Sequence, residues 1–319
     1  MLALAAPAGL KGVLLPTEAA ALLATGLRVG GVEVDEAPVA DGGEATALVL
    51  HSALGGEWRT AAVSDPLGRP LTARWLLLDD GTAVVEAAAA LGLPLLKPAE
   101  RDPLTASTHG FGELLLAVLT TRPASLLLCL GGTATVDGGV GMRSLAGQRL
   151  RDIPIRVACD VRNPLLGERG AARAFGPQKG ADPAAVEELE RRLGSLEELA
   201  PYRDLPGAGA GGGLGAALAA LGGELVSGAD LVLDLIRFDE RARGADLVVT
   251  GEGTVDATTF EGKAPGTVFE RCTRLGVRCE LFGGLVEEGL DAHALSGRPE
   301  QAGEDLERLG EELARSIGP

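Results

Sequence analysis

Three carboxylates in this sequence stand where an apolar run breaks into a glycine- or proline-bearing loop: Asp160 after IPIRVAC, Asp137 within GGTATVDGGVG, and Glu252 within VVTGEGTVD. A buried strand that delivers a carboxylate into a Gly/Pro turn is how open α/β sheets present reacting groups, at the carboxyl ends of their strands. After Asp160 the stretch 157–181 runs through Asn163-Pro164 and closes on Gly176-Pro-Gln-Lys179-Gly180. Asp, Asn, Gly and Pro also build ordinary turns, so the functional reading rests on recurrence. Five glycines fall between Gly131 and Gly141 after the apolar Ser125–Leu130. They let backbone N–H groups approach a ligand, with Thr133, Thr135 and Asp137 as polar contacts. Asp41-Gly42-Gly43-Glu44 sets two carboxylates around a turn. These suit Mg²⁺, which takes a few carboxylates plus water and phosphate oxygens. They equally suit the start of the helix that follows; capping is favoured for Glu44, and Asp41 stays open.

The cations are uneven. Lys and Arg total 29, but only Lys11, Lys97, Lys179 and Lys263 are lysines, and three of the four adjoin glycine. A compact ammonium beside a glycine turn suits a phosphate group. His51, His109 and His293 are scattered and read as ordinary polar residues. There is no G-x-S-x-G elbow, no H-E-x-x-H, no P-loop pattern and no dinucleotide fingerprint, which disfavours a nucleotide-dependent dehydrogenase. Acids, lysines and glycine loops at strand ends suit phosphoryl transfer, in which a protein mainly positions groups and neutralises charge.

The elements that must carry these groups follow from the pattern. With 319 residues, 46% hydrophobic content and no apolar run near 18, the chain is expected to be a soluble globular protein without a membrane span. The segment MLALAAPAGLKG lacks the basic start of a secretory leader and reads as a first strand. Four cysteines without metal spacing suggest reduced thiols and a cytoplasmic setting. A net charge of −16 argues against nucleic acid and anionic membrane as partners. Helices are expected over Thr17–Thr25 (stopped by Gly26), Ala45–Leu54, Phe111–Leu119 behind Thr105–Thr108, Asp182 to about Leu199, Gly266–Leu275 and Glu304–Ile317. The last presents Leu306, Leu309, Leu313 and Ile317 on one face. Strands are expected at 2–6, Val32–Val39, Ala245–Thr250 and Val277–Phe282, with hairpins over 57–90. Pro206–Gly215 reads as a linker, or as a helix N-terminus offering amides to an anion.

Taken together, ADGGEAT (40–46), RDPL (101–104), GGTATVDGGVGM (131–142), ACDVRNPLLGERGAARAFGPQKGA (158–181), PGAGAGGGLGAAL (206–218) and LVVTGEGTVDATTFEGKAP (247–265) resemble the bacterial glycerate kinase family, type I. APAGLKGVL is similar to that family's APDSFKGSL. Departures are Ala8-Gly9 for Asp-Ser, Val13 for Ser, Ala45 for Gly, Val136 for Asn and Thr254 for Arg. A segment between Leu145 and Ile155 and part of the chain beyond Gly284 are also absent. The resemblance implies an ATP- and Mg²⁺-dependent kinase acting on D-glycerate, usually giving 2-phosphoglycerate. It implies an α/β fold of two domains with the active site in the cleft between them. One would be Rossmann-like with a mainly parallel sheet, the other would have a mixed sheet. Residues 1–50 and 230–319 would make a discontinuous domain around an inserted domain of 51–229.

By motif position Lys11, Asp41, Asp137, Asp160, Lys179, Glu252, Asp256 and Lys263 carry over as site residues. Chemistry suggests their roles. Asp160 would take the hydroxyl proton, and Lys11 and Lys179 would neutralise developing charge. Glu252, with Asp41 or Asp256, would hold the metal. Gly131, Gly132, Thr133, Thr135, Asp137, Gly209, Gly211, Gly212 and Lys263 would bind the nucleotide, with aliphatic packing for its base. The alternative is a catalytically weakened member of the same fold that binds glycerate or nucleotide. A homo-oligomer is left open.

Overall fold

A computed structural model describes residues 1–317. Gly318 and Pro319, and the side chain of Ile317 with its expected place on the last helix, lie outside the described residues. The strands are, in chain order, β1 (Leu2–Ala5), β2 (Glu33–Glu36), β3 (Glu57–Ser64), β4 (Pro70–Leu77), β5 (Thr82–Glu86), β6 (Ser125–Cys129), β7 (Ile155–Cys159), β8 (Glu224–Ser227), β9 (Leu247–Val255), β10 (Cys279–Val286) and β11 (His293–Ala294). The architecture is α/β, with one parallel and one mixed sheet among the described residues. The chain forms two compact units: residues 1–41, 48–54 and 229 onward in the first, residues 42–47 and 55–228 in the second. The sequence puts the first crossing after residue 50, whereas residues 42–47 pack with the second unit.

In the first unit the order is β2-β1-β9-β10-β11, and every neighbouring pair is parallel. β1 and the first half of β9 are apolar because both their faces are covered: Ala3, Leu4, Ala5, Leu247, Val248 and Val249 are fully buried. The chain leaves β1 for β2 on one side and later returns for β9 on the other. That reversal creates a switch point at the carboxyl ends of β1 and β9, where doubly wound sheets bind ligands.

Two helices of this unit meet closely. The helix Pro16–Val29 runs past Gly26, the expected stop, and ends at Gly30. Gly26 is a packing residue: a methyl group there would lie 1.9 Å from the Glu307 carbonyl oxygen, on the helix Ala302–Ile317. Leu306, Leu309 and Leu313 of that helix join Ala19, Leu23 and Leu27 in one core.

In the second unit the order is β3-β4-β5-β6-β7-β8. The hairpins expected over 57–90 supply antiparallel β3-β4-β5, and β5 to β8 are parallel. The β3–β4 turn is fixed by Asp65, which accepts from the amides of Leu67 and Arg69 and from the Arg69 guanidinium. Asp182 caps the helix Pro183–Gly194, accepting from Ala185 N at 2.8 Å. That helix ends at Gly194, short of the expected Leu199. The apolar Leu231–Ile236 segment belongs mostly to a helix, Gly228–Leu235. Pro206–Gly215 is no linker; it leads into the buried helix Ala210–Ala219. No helix among the described residues is long and apolar enough to cross a membrane.

Replacing Gly26 by Ala should lower the unfolding free energy by about 1–3 kcal/mol, the usual cost of overpacking. Denaturant titration of that variant beside exposed Thr25→Ala, expected to be near neutral, measures it.

Candidate active site

In the first unit a cavity of about 370 Å³ opens at the switch point, where β1, β9, β10 and β11 end. Lys11, Glu252, Lys263, Arg298 and Asp305 line it among aliphatic side chains, including Leu285, which is 60% exposed. Lys11 rides a tight turn after β1 in which Leu10 and Leu14 exchange amide hydrogen bonds of 2.9 Å. Its amine has no hydrogen bond or ion pair among the described residues. Glu252 lies within β9, directly after its buried run Leu247–Gly251. Burial raises its carboxyl above the ordinary range, while the Thr259 hydroxyl at 2.8 Å and the Lys263 ammonium pull it down and the charge of Asp41 pushes it up again. Lys263 begins the helix Ala264–Leu275, and its Nζ lies 3.5 Å from Glu252 and 3.8 Å from Asp256.

Asp256 Oδ1 accepts from Thr258 N at 2.8 Å and from the Thr258 hydroxyl, capping the turn Ala257–Phe260, and that hydroxyl is the largest cause of its lowered pKa. Among the described residues no three or more His, Cys, Asp or Glu side chains are grouped to hold a metal. Asp41, Glu252 and Asp256 are therefore no three-carboxylate cage. Glu252, with Asp41 near enough to perturb it, fits the sparser set of hard oxygen donors that Mg²⁺ takes when phosphate completes its shell.

The second unit carries the other expected residues at the carboxyl ends of neighbouring β6 and β7. Gly131 follows β6 and packs against Gly43; a methyl group on it would lie 2.6 Å from the Gly43 Cα. Gly132 is exposed. Asp160 follows Cys159, whose thiol burial drives up to about 11, with the Asp160 charge adding to the rise. Asp137 is a brace. Its carboxylate accepts from Thr108 N (2.9 Å) and Oγ1 (2.8 Å) and from the amides of Gly139 (3.0 Å) and Gly141 (3.3 Å). Thr108 Oγ1 in turn accepts from Met142 N. Thr108 thus holds the start of the helix His109–Leu119 through Asp137 and makes no side-chain capping hydrogen bond to the helix.

Lys179, expected at the reacting centre, is only 4% exposed. Its Nζ donates to the Thr135 carbonyl at 2.9 Å and faces Thr133 Oγ1 at 3.4 Å. Burial lowers its pKa to about 7 against the opposing charge of Asp137. Thr133 and Thr135 are buried with it. Gly209 and Gly212 do not present amides to a ligand: they donate to the carbonyls of Asn163 and Gly209. A methyl group on Gly212 would lie 2.0 Å from the Thr135 carbonyl oxygen, so its positive φ serves loop-to-loop packing, and Gly211 beside it is partly buried. Glu44 does not cap the helix Thr46–Leu54. Ala45 has φ of +68°, and the Ala47 amide is taken by Glu86, whose burial raises its pKa.

The sequence reading missed Arg298, Asp305 and Glu86. Arg298 is masked by the abundance of arginine, although its Gly297-Arg298-Pro299 setting is a turn signal. Asp305 and Glu86 lie in an amphipathic helix and at a strand end, with no local pattern to mark them.

A sequence model of the glycerate kinase family matches residues 3–152 and 143–300. The chain is 39% identical to the glycerate 2-kinase of Escherichia coli strain K12, across 82% of this chain and 79% of that one. It is 35% identical to the glycerate kinase of Bacillus subtilis strain 168, across 98% and 96%. The crystal structure of a candidate glycerate kinase 2 from Salmonella typhimurium LT2 matches with a TM-score of 0.85 and 32% identity, covering 99% of this chain and 98% of that one.

The buried amine gives a pH test. The folded state releases the Lys179 proton near pH 7 and the unfolded chain near 10.5. Between those values the unfolded state binds more protons, so stability rises with pH, by at most about 1.4 kcal/mol per unit. Unfolding free energies of the native chain minus those of Lys179→Met should climb over that window and level off on either side.

Proposed function

The chain belongs to the glycerate kinase family, and from that premise we propose that it transfers the γ-phosphoryl group of ATP to D-glycerate, giving 2-phosphoglycerate. The observation that carries this reading is the cavity at the first unit's switch point, where Lys11, Lys263 and Glu252 converge on space lined by aliphatic side chains. Ammonium groups beside open backbone turns suit phosphate oxygens. The exposed Leu285, with Leu10, Val13 and Leu295, offers apolar packing for a base without an aromatic partner.

The acceptor hydroxyl oxygen attacks the γ-phosphorus, the bond to the β–γ bridging oxygen breaks, and the hydroxyl proton passes to the Asp160 carboxylate. Lys11 and Lys263 neutralise charge on the phosphate oxygens. Glu252 with Asp41 would hold Mg²⁺, which would supply further neutralisation of phosphate charge. Asp256 keeps Lys263 and the turn Ala257–Phe260 in place. In the second unit, the exposed Gly132 offers its amide to a substrate oxygen, while the Gly131 amide donates to the Gly42 carbonyl. Asp137 and Lys179 hold that loop in shape without touching substrate.

ADP release coupled to D-glycerate, with the product identified by phosphorus NMR, tests the reaction. Asp160→Asn should cut turnover by about 10²–10⁴-fold with an unchanged melting temperature; equal loss of both would reassign Asp160 to the fold. Chelation of divalent cations should abolish turnover, and added Mg²⁺ should restore it.

A further inference from the structure

The loop after β11 brings a third cation to the first-unit cavity. Arg298 lines it together with Lys11, Glu252 and Lys263. Among the described residues its guanidinium has no hydrogen bond or ion pair. The nearby carboxylate that could neutralise it is already engaged. Asp305, 2% exposed, accepts from Ser296 N at 3.0 Å and from the Ser296 hydroxyl, and it is paired with Arg308. The same Ser296 Oγ accepts from the Arg298 amide at 3.3 Å. Pro299 restricts Arg298 to extended backbone, observed at φ −104° and ψ 112°. Leu295 N donates to the Gly283 carbonyl at 2.9 Å, tying the other end of the loop to β10. The backbone of Arg298 is thus held on both sides while its charge stays open.

We propose that Arg298 grips an anionic group of a substrate in this cavity, and that Ser296, anchored by Asp305, positions it. This rests on the phosphotransfer reading above. A guanidinium offers a planar fork of donors that matches a carboxylate or a phosphate through two parallel hydrogen bonds. The glycerate carboxylate and a nucleotide phosphate share that chemistry, so the test separates them.

Steady-state kinetics of Arg298→Ala with each substrate varied in turn should show KM raised by about 10- to 100-fold for one of the two, with kcat changed far less. A rise for glycerate assigns the carboxylate, and a rise for ATP assigns a phosphate. Arg298→Lys, which keeps the charge and loses the fork, should recover only part of the loss. Unchanged KM values for both substrates in an active enzyme would overturn the proposal. Calorimetric titration of native and Arg298→Ala protein with ATP and with D-glycerate gives a readout independent of turnover. If the native chain proves inactive, the phosphotransfer reading fails, while a binding difference between the two proteins still supports Arg298 and its absence still refutes it. Ser296→Ala should raise the same KM in the native background and have no further effect on Arg298→Ala. Equal effects in both backgrounds would remove Ser296 from the positioning role.

Discussion

Burial of the central parallel strands on both faces is the constraint from which the rest follows. Ala3–Ala5 in β1, Leu247–Val249 in β9, Leu126–Leu128 in β6 and Val157–Ala158 in β7 have almost no exposed surface. No charged group is tolerated there without a partner, because an unpaired polar atom in such surroundings loses its hydration with no return. Thr250 obeys the rule by donating to the Ala6 carbonyl at 2.7 Å. Ionisable groups are thereby confined to the first residues past each buried run. Glu252 comes two residues after Thr250, Asp160 one after Cys159, and Asp137 lies in the loop that begins at Gly131. Since the strands are parallel, their carboxyl ends share one edge of each sheet, and side chains far apart in sequence become neighbours within a unit.

A glycine-rich loop released from such an edge has no shape of its own, and the second unit supplies one through two ionisable side chains, half-buried Asp137 and buried Lys179. Asp137 gathers the amides of Gly139 and Gly141 from one side and Thr108 from the other. Lys179 takes the Thr135 carbonyl. The two charges lie close enough for Asp137 to support the ammonium form of Lys179 against its burial. Glycines at 138, 212 and 213 then let the two loops pack backbone to backbone, with Gly138 N donating to the Gly212 carbonyl at 3.0 Å. Polar hubs and bare backbone do different work here. The hubs set the loop's path, and the missing side chains allow the close approach.

Much of this was legible in the sequence. Apolar runs that break at glycine, proline or an acid located β1, β6, β7 and β9, and the turn chemistry at Asp65–Gly68 gave the first hairpin. Glycine itself was the least legible residue. Gly26 reads as a helix stop by local propensity, yet the helix continues because the approach of Glu307, 281 residues further on, requires a missing side chain there. Gly209 and Gly212 read as ligand-facing amides for the same reason: sequence reveals the absence of a side chain, not what comes to fill the space. The capping of Thr46–Leu54 by Glu86 was equally hidden, since its partner lies 39 residues away from Ala47. Long-range contact, not local preference, decided each of these cases.

The scarcity of lysine acquires a physical reason at one of its positions. The amine of Lys179 is enclosed with the Thr135 carbonyl and Thr133 Oγ1 as its partners. An ammonium can rotate its three donors toward so small a set, and burial lowers its pKa to about 7, so near neutral pH part of the population sheds the charge. A guanidinium has five fixed donors and cannot lose its proton, so in the same space it would leave several of them buried and unpaired. Arginine is thus excluded at 179 by geometry. At 11 it is not: that side chain is exposed on the rim of a turn, where packing is indifferent to the choice. What a compact, strongly hydrated charge offers at that position is freedom of movement on a flexible stem. Arg298, on a loop braced by Asp305, offers fixed direction instead.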